Sequence, residues 1–399
     1  MRNNTSEPGC KYDSLPNLSD LLSNKLKEQN YSVGYTGKWH LGWGPTEVGY
    51  EGDDFPGHGA GGHGYEQYHH YLKEKGLEVK LENKITGHYK GHWAAEVVSP
   101  VETTVEYFLT DQAIHYIDQF RQRENPFYFQ LNFWGPHEPY VAPTKHLDLY
   151  RDIDIEPWAN FADDSTNKPA IHNVKRAKFT DWKTFEPYVK HYFANVSLID
   201  EQIGRLIDYL KKHDLYDNTI IIFSADHGES LGIHGGLCDK NFFMYEETCR
   251  IPLIVKPQKK LMETKYEDRR FVGTCDYYSS ILDWAGADKA ETSRDGRSFV
   301  PLVHNEDVKD WPDHVVTEGN GLAEILYTQR MIRHRQMKYI FNCGDTDELY
   351  DLEKDPHELS NEIDNQEYQA TLSNMKELLA SWMKEHNDLA LEQFKDLRF

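Results

Sequence analysis

The sequence predicts an α/β protein with a large mixed, mostly parallel sheet flanked by helices, followed by a small C-terminal α+β subdomain. Three observations support this fold class. Apolar, strand-like runs alternate with helical periodicity over most of the chain, which is typical of a wound α/β sheet. Beyond about residue 310 the strand patterns follow one another closely and end in one amphipathic helix. The 399 residues suffice for two unequal domains, which we expect at 1–309 and 310–399.

The first elements follow from the spacing of apolar residues. Leucines at helical spacing precede a short strand at Ser32–Thr36, and a second helix is expected around Val105–Ile117. The aromatic run Phe127–Trp134 is bounded by prolines, which indicates a strand. A long amphipathic helix is expected over Phe185–Lys212.

The alternation continues into the second half of the chain. Thr219–Ser224 is an almost continuous apolar strand, so we expect it to be buried on both faces of a parallel sheet. Ile251–Val255 and a helix at Tyr277–Trp284 extend the pattern. The C-terminal subdomain is expected to consist of antiparallel strands and one helix, at His314–Thr317, Arg330–Arg333, Lys338–Asn342 and Gln366–Glu385.

Two segments match neither period, and we predict that both are long surface loops: Gly52–His70 and Asp148–Lys178. Loops of this length often shape substrate pockets in α/β enzymes. The first loop holds four histidines, including His63, but their spacing is not one that binds a metal. A substrate-facing or solvated loop is the better interpretation.

Composition excludes several classes of protein. The net charge of −22 argues against nucleic-acid and anionic-membrane partners, because both need a basic face. No apolar run approaches the ~20 residues of a membrane span. The five cysteines are scattered without metal or redox spacing, which indicates a reduced chain, and the sequence as given indicates a cytoplasmic location.

Asp226 and His227 directly follow the apolar strand at Thr219–Ser224. Ligands of open α/β sheets bind at this carboxyl edge, and adjacent Asp and His side chains suit a divalent cation. An Asp that caps a helix beside a surface His is an equally good explanation of the pair alone.

Lys38 and His40 follow the strand at Ser32–Thr36 and lie two residues apart, so an extended backbone points them to one face. A lysine there stabilises an oxyanion, and a nearby histidine carries a proton. Taken alone, a surface lysine and a packed histidine remain the commoner arrangement.

His137 is bracketed by prolines after the strand at Phe127–Trp134, which fixes its backbone and suits a proton donor. Lys240 lies shortly after the Asp226 segment and would return a second cation to the same edge. The alternatives are a solvated histidine in a proline-rich turn and a plain surface lysine.

Together these segments resemble the sulfatase family of the alkaline-phosphatase superfamily. Gly34–Gly42 is similar to the second signature of that family. Further similar segments follow in the family's order over nearly the whole chain: Val196–Arg205, Asn218–Glu229, Gly235–Pro252, Asp276–Gly286, Lys338–Ile340 and Glu348–Pro356.

The resemblance implies a formylglycine hydrate nucleophile beside a divalent cation. Asp226 matches a metal-ligand position, and His227 lies where family members carry Asn or His. The implied ion is Ca²⁺, with Mn²⁺, Mg²⁺ and Zn²⁺ as alternatives because imidazole makes the site softer.

The resemblance also implies roles for the other residues. Lys38 and Lys240 match the lysines that bind the sulfate and the nucleophile. His137 matches the acid that protonates the departing alkoxide, and His40 matches the histidine that helps the sulfated hydrate collapse. These roles are chemically coherent, because a sulfate ester needs cations on its oxygens and an acid on its leaving group.

Two features of the family are missing from the sequence. The Cys/Ser-x-Pro-x-Arg nucleophile segment and a strand ending in an acidic pair normally precede the Lys38 segment. Cys10 lacks the Pro and Arg at the required offsets, and Asp53-Asp54 follows Lys38 in a Gly-rich loop. We therefore expect no nucleophile in this chain and a truncated N-terminus that lacks at least one strand–helix unit.

The leading hypothesis is a metal-dependent hydrolase of small-molecule or saccharide sulfate esters, inactive as this chain if the formylglycine segment is absent. A phosphonate monoester hydrolase or phosphodiesterase of the same superfamily is the alternative enzyme. A third hypothesis is a non-catalytic, truncated relic that binds anions. The sequence leaves open the alcohol portion of the ester and the oligomeric state.

Overall fold

The computed structural model describes residues 20–39, 44–53, 62–86, 93–176, 181–259, 266–287, 295–322 and 325–398. The strands are β1 (Ser32–Gly37), β2 (Glu51–Gly52), β3 (Leu81–Thr86), β4 (Trp93–Val97), β5 (Phe127–Asn132), β6 (Tyr140–Pro143), β7 (Ile221–Ser224), β8 (Leu253–Lys256), β9 (His314–Leu322), β10 (Ile325–His334), β11 (Met337–Asn342) and β12 (Glu348–Asp351). The α-helices are α1 (Leu22–Glu28), α2 (Glu66–Lys75), α3 (Val105–Phe120), α4 (Thr144–Leu147), α5 (Trp182–Lys212), α6 (Ile233–Gly236), α7 (Glu246–Cys249), α8 (Cys275–Ala285), α9 (Val300–Val303), α10 (Gln369–Glu385) and α11 (Leu391–Arg398).

A parallel sheet carries the first predicted strands. Its order is β2–β1–β5, and β1 and β5 run parallel from Ser32 opposite Phe127 to Gly37 opposite Asn132. Every residue of β1 is buried. Because β1 lies between two strands and under α3, its small and apolar side chains face no solvent. The predicted strands at Ser32–Thr36 and Phe127–Trp134 are confirmed to within two residues.

The long helix α5 lies against β6 and α3. It begins at Trp182, three residues before the predicted start, because the Asp181 side chain accepts a hydrogen bond from the Thr184 backbone N–H at 2.9 Å. Its buried face includes Val189 and Leu198, both fully inaccessible to solvent. A second sheet, of order β3–β4–β6, lies beside it.

The structure corrects the prediction for the apolar strand. β7 pairs antiparallel with β8, and neither strand is fully buried. Phe223 is 38% exposed and Ile254 is 62% exposed. The apolar composition indicated a strand correctly, but the direction of its partner depends on the chain reversal between β7 and β8. Composition does not encode that reversal.

The C-terminal subdomain is an antiparallel sheet of order β12–β11–β10–β9. One face packs against α10 and α11, where Leu379 and Phe394 are fully buried. The predicted antiparallel strands and the terminal helix are confirmed. The chain therefore has the expected fold class, with a mixed α/β part and a C-terminal α+β part.

The segment between α4 and α5 was expected to be a surface loop, and the structure corrects this as well. Three of its residues, Asn160, Lys168 and His172, are buried and contact residues far away in sequence. Polar composition suggested solvent exposure, but these polar side chains have partners in other parts of the fold. Within the described ranges, no helix is both long enough and apolar enough to cross a bilayer.

Candidate active site

The carboxyl ends of β1, β5 and β7 bring together residues from three distant parts of the chain. Lys38 follows β1, and its Nζ lies 3.1 Å from Oδ2 of Asp226, which follows β7. His137 follows β5, and its ring centre lies 6.2 Å from that of His227. This is the edge at which open α/β sheets bind their ligands.

Lys38 is held by the strand beside it. Its backbone N–H donates to the Asn132 carbonyl at 2.9 Å, and Asn132 Nδ2 donates back to the Lys38 carbonyl at 3.2 Å. The Tyr35 hydroxyl donates to the same carbonyl. Gly37 makes this close approach feasible, since an added Cβ there would lie 1.9 Å from the Asn132 oxygen and the backbone φ is +104°. The side chain then passes the Trp134 ring, with Nζ 5.4 Å from the ring centre.

His137 and Lys240 form the second pair. Lys240 Nζ lies 3.1 Å from His137 Nε2, and His137 Nδ1 lies 3.0 Å from the Glu138 carbonyl oxygen. The carbonyl fixes the proton on Nδ1, so Nε2 accepts from the ammonium of Lys240. Burial lowers the pKa of His137, and the hydrogen bond to Glu138 opposes this only in part. The ring is therefore neutral at neutral pH in the absence of a bound anion.

The turn that carries His137 rests on two buried polar side chains. A Cβ added to Gly135 would lie 2.2 Å from Asn195 Oδ1 and 2.8 Å from Glu106 Oε1. Burial raises the pKa of Glu106 to about 7. Glu106, Asn195, His137 and His63 line one small cavity. His63, from the predicted substrate-facing loop, is thus beside the site.

Asp226 and His227 suit a divalent cation. His227 Nδ1 lies 2.8 Å from the Gly228 carbonyl, which orients the ring as a backbone carbonyl does for metal-binding histidines. The opposite atom, Nε2, is buried, has no hydrogen-bond partner in the described part of the chain, and lies 3.6 Å from Asp226 Oδ2. Within the described ranges no larger group of His, Cys, Asp and Glu forms a metal cluster. The pair thus offers one carboxylate and one oriented imidazole.

The charge of Asp226 is stabilised by its neighbours. Partial burial acts to raise the pKa of this carboxyl. The positive charge of Lys38, and to a smaller extent His227, has the opposite effect and is stronger, so the pKa of Asp226 lies below its usual value. Burial lowers the pKa of His227, so its ring is neutral. An ionised carboxylate and a neutral imidazole are the forms that bind a metal.

The structure brings together five of the six residues singled out from sequence: Lys38, His137, Asp226, His227 and Lys240. His40 lies outside the described residues. Sequence reasoning missed Glu106 and Asn195, which lie on helices and carry no motif. A glutamate at a position that faces inward on an amphipathic helix was the available signal for Glu106.

The chain belongs to the sulfatase family. The Sulfatase family model matches residues 2–287, and the model of the C-terminal region of N-sulphoglucosamine sulphohydrolase matches residues 232–385. The resemblance inferred from the motifs is thereby confirmed.

Two curated relatives illustrate the similarity. A choline-sulfatase of Rhizobium meliloti is 30% identical over 336 residues, which is 78% of this chain and 62% of the relative. The multifunctional alkaline phosphatase superfamily protein PehA of Trinickia caryophylli is 27% identical over 330 residues, or 74% of this chain and 62% of the relative. The chain therefore spans less than two thirds of the length of either relative.

Solved structures share the fold. A phosphonate monoester hydrolase of Agrobacterium radiobacter has a TM-score of 0.72 at 21% identity, covering 92% of this chain and 80% of that one. A protein solved in complex with D-glucosamine-2-N,6-O-disulfate has a TM-score of 0.68 at 21% identity, covering 94% and 84%. The fold is that of the alkaline-phosphatase superfamily.

Proposed function

We propose that this chain carries the anion-binding and metal-binding residues of a metal-dependent sulfate ester hydrolase. The observation that supports this most strongly is the convergence of two lysines, two histidines and an aspartate near the carboxyl ends of β1, β5 and β7. Lys38 Nζ lies 3.1 Å from Asp226 Oδ2, and Lys240 Nζ lies 3.1 Å from His137 Nε2. A sulfate group presents several charged oxygens, which two fixed cations neutralise together.

His137 is proposed to protonate the leaving oxygen. Its Nε2 accepts from Lys240 before an anion binds. A bound anion raises the pKa of the ring and competes for the ammonium of Lys240, so substrate binding favours the imidazolium with a proton on Nε2. The proton then lies on the atom that faces the lysine and the ester, where a departing alkoxide needs it.

Asp226 and His227 are proposed to hold the divalent cation, Ca²⁺ by resemblance, with Mn²⁺, Mg²⁺ and Zn²⁺ as alternatives. When bound, the cation supplies Lewis-acid stabilisation of the negative charge on oxygen. His40 retains the role that the resemblance implies. We assign the nucleophile to no residue of this chain.

The proposed substrates are sulfate esters of small molecules or saccharides. The named function of the choline-sulfatase and the disulfated glucosamine bound by a structural neighbour support both kinds of ester. The alternative reaction is hydrolysis of phosphonate monoesters, which the fold similarity to a phosphonate monoester hydrolase favours. Two lysines and a bound metal ion would stabilise the charge of a sulfate ester and of a phosphonate monoester alike.

Parallel assays on an aryl sulfate and an aryl phosphonate monoester test the proposal. If the protein turns over the sulfate ester, we expect EDTA to abolish the turnover and His137→Ala to lower its rate by about 10²–10⁴-fold. Lys259→Met is the control, since Lys259 pairs with Asp217 on the surface. Turnover of the phosphonate alone would overturn the sulfatase assignment.

Sulfate binding by calorimetry gives a second readout, independent of turnover. We expect Lys38→Met and Lys240→Met each to weaken binding while Lys259→Met leaves it unchanged. Binding without turnover of either ester would favour the anion-binding relic over the enzyme. Binding that survives both site substitutions would refute the assignment of the two lysines.

A further inference from the structure

Lys240 follows a loop whose backbone is mostly left-handed. We define the Lys240 loop as residues 231–239, which include the single turn α6, where His234 and Gly235 do not have right-handed helical backbone angles. Leu231, His234 and Asp239 have φ of +45°, +44° and +62°, and the three glycines of this loop also have positive φ. Residues with a Cβ rarely adopt such a conformation, so contacts from outside must hold it.

A buried hydrogen bond between a histidine and a carboxylate holds the middle of the loop. His234 Nδ1 lies 2.7 Å from Asp163 Oδ2, the imidazole is fully buried and the Asp163 side chain is 6% exposed. The carboxylate oxygens of Asp163 have further partners. Oδ1 accepts from the Ser165 backbone N–H at 2.8 Å, and Lys168 Nζ lies 3.4 Å from Oδ2. Asp163 is thus an ionised, fully paired partner of one histidine.

The same segment also binds the loop backbone. We define the clamp segment as residues 160–176. The His234 carbonyl accepts from the Arg176 guanidinium and from Ser165 Oγ, the latter at 3.3 Å. The Gly235 N–H donates to the Phe161 carbonyl at 3.1 Å. Side chain and backbone of the loop are therefore both fixed by one distant stretch of sequence.

The base of the loop is closed separately. Glu229 Oε1 accepts from the backbone N–H of Asp239 at 2.6 Å and of Leu231 at 3.2 Å. Ser230 Oγ donates to the Asp239 carbonyl at 2.5 Å. With its base tied and its middle clamped, the loop delivers Lys240 Nζ to 3.1 Å from His137 Nε2.

We propose that Asp163 and His234 are positioning residues for Lys240, which they hold against His137 through the left-handed Lys240 loop. The clamp segment belongs to the stretch that the sequence predicted to be a surface loop, and the contacts given above connect it to Lys240 through the Lys240 loop. The claim that this position of Lys240 matters for sulfate binding rests on the proposed function. The claim that Asp163 and His234 fix the position does not.

The experiment compares Asp163→Asn and His234→Asn with the matched control Asp164→Asn. Asn tolerates the left-handed backbone at 234 while removing the imidazole. Asp164 is the exposed neighbour of Asp163, and its Oδ1 accepts from the Thr166 backbone N–H at 2.8 Å. The readout is the acylation rate of Lys240 in the folded protein, measured by peptide mass spectrometry relative to the exposed Lys259.

We expect the acylation rate of Lys240 to rise severalfold in both variants and to stay at the wild-type value in Asp164→Asn. A purely structural pair would lower the melting temperature without changing this rate in the folded state. An unchanged rate in both folded variants would overturn the proposal. Should they fail to fold, Ser165→Ala removes one contact to the His234 carbonyl, and the same expectation applies to it.

Sulfate affinity of the same variants separates the two proposals. A faster Lys240 reaction with weaker sulfate binding supports both. A faster reaction with unchanged sulfate binding supports positioning and contradicts the sulfate-binding role of Lys240. A wild-type acylation rate of Lys240 together with weaker sulfate binding contradicts only the positioning proposal.

Discussion

Glu106 lies behind the turn of His137 with a carboxyl that solvent barely reaches. Burial raises its pKa to about 7 from an ordinary value of 4.5. Between these two pH values the folded chain keeps a proton that the unfolded chain releases. The contribution of Glu106 to stability is therefore complete below about pH 4.5 and is lost as the pH rises through 7.

Replacing Glu106 by Gln should flatten this pH dependence. Gln cannot release a proton, so the free energy of unfolding should fall less between pH 5 and pH 8 than in the wild type, by up to about 3 kcal/mol. Urea unfolding at a series of pH values measures this. Glu78→Gln on the surface is the control, and parallel pH profiles for Glu106→Gln and the wild type would contradict the expectation.

At the residue scale, the sequence identified side chains that follow a strand better than those that support them. Lys38 and His137 were found because the parallel strands β1 and β5 end at a common edge, so position in sequence implied position in space. Asp226 was found because it follows a strand, although β7 is antiparallel to its partner β8. Glu106, Asn195 and Asp163 support them from helix faces and from a polar segment. Their partners lie 29 to 71 residues away, and no local pattern encodes such pairing.

At the scale of elements, apolar periodicity predicts where the helices lie but not how the strands pair. α5 and α10 were located from apolar spacing, and only their first turns differ from expectation. β7 was recognised as a strand, but its antiparallel partner was not, because pairing direction depends on tertiary contacts. The clamp segment was mistaken for a surface loop since burial of polar groups depends on partners that spacing does not reveal.

Two glycine substitutions in these elements should change the free energy of unfolding in opposite directions. Gly204 lies inside α5, where an added Cβ meets nothing within 4 Å, so Gly204→Ala should stabilise the protein by about 0.5–1 kcal/mol. Gly37→Ala at the end of β1 should destabilise it by more than the ~1–2 kcal/mol of a left-handed residue, because the Cβ also meets the Asn132 oxygen. Denaturant midpoints measure both, and equal effects would contradict the packing of β1 on β5.

At the scale of the whole molecule, a buried lysine joins the C-terminal sheet to the rest of the chain. Lys338 on β11 is fully inaccessible, and its Nζ lies 3.3 Å from Glu246 Oε1 and 2.8 Å from Glu358 Oε1. Glu246 begins α7, which follows the Lys240 loop. The division into 1–309 and 310–399 remains a prediction, and this contact links its two sides.

Replacing Lys338 by Met should leave the buried Glu358 carboxylate without its cation and destabilise the protein by about 3–5 kcal/mol, whereas Glu246 keeps Arg333 as a partner. The double substitution Lys338→Met with Glu358→Gln should recover part of that loss, since residue 358 then carries no charge. Urea unfolding followed by circular dichroism measures both variants. A single substitution without effect would show that the ion pairs contribute nothing to joining the two parts.

The contact of Lys168 with the Glu358 carbonyl spans 190 residues of sequence. Ribosomes add ~5–20 residues per second, so roughly 10–40 s separate the synthesis of these two residues. During that interval the ammonium of Lys168 has no buried partner in the C-terminal part, and the clamp segment stays incomplete. The surroundings of Lys240 are consequently completed only after Glu358 has been added, although Lys240 itself is made much earlier.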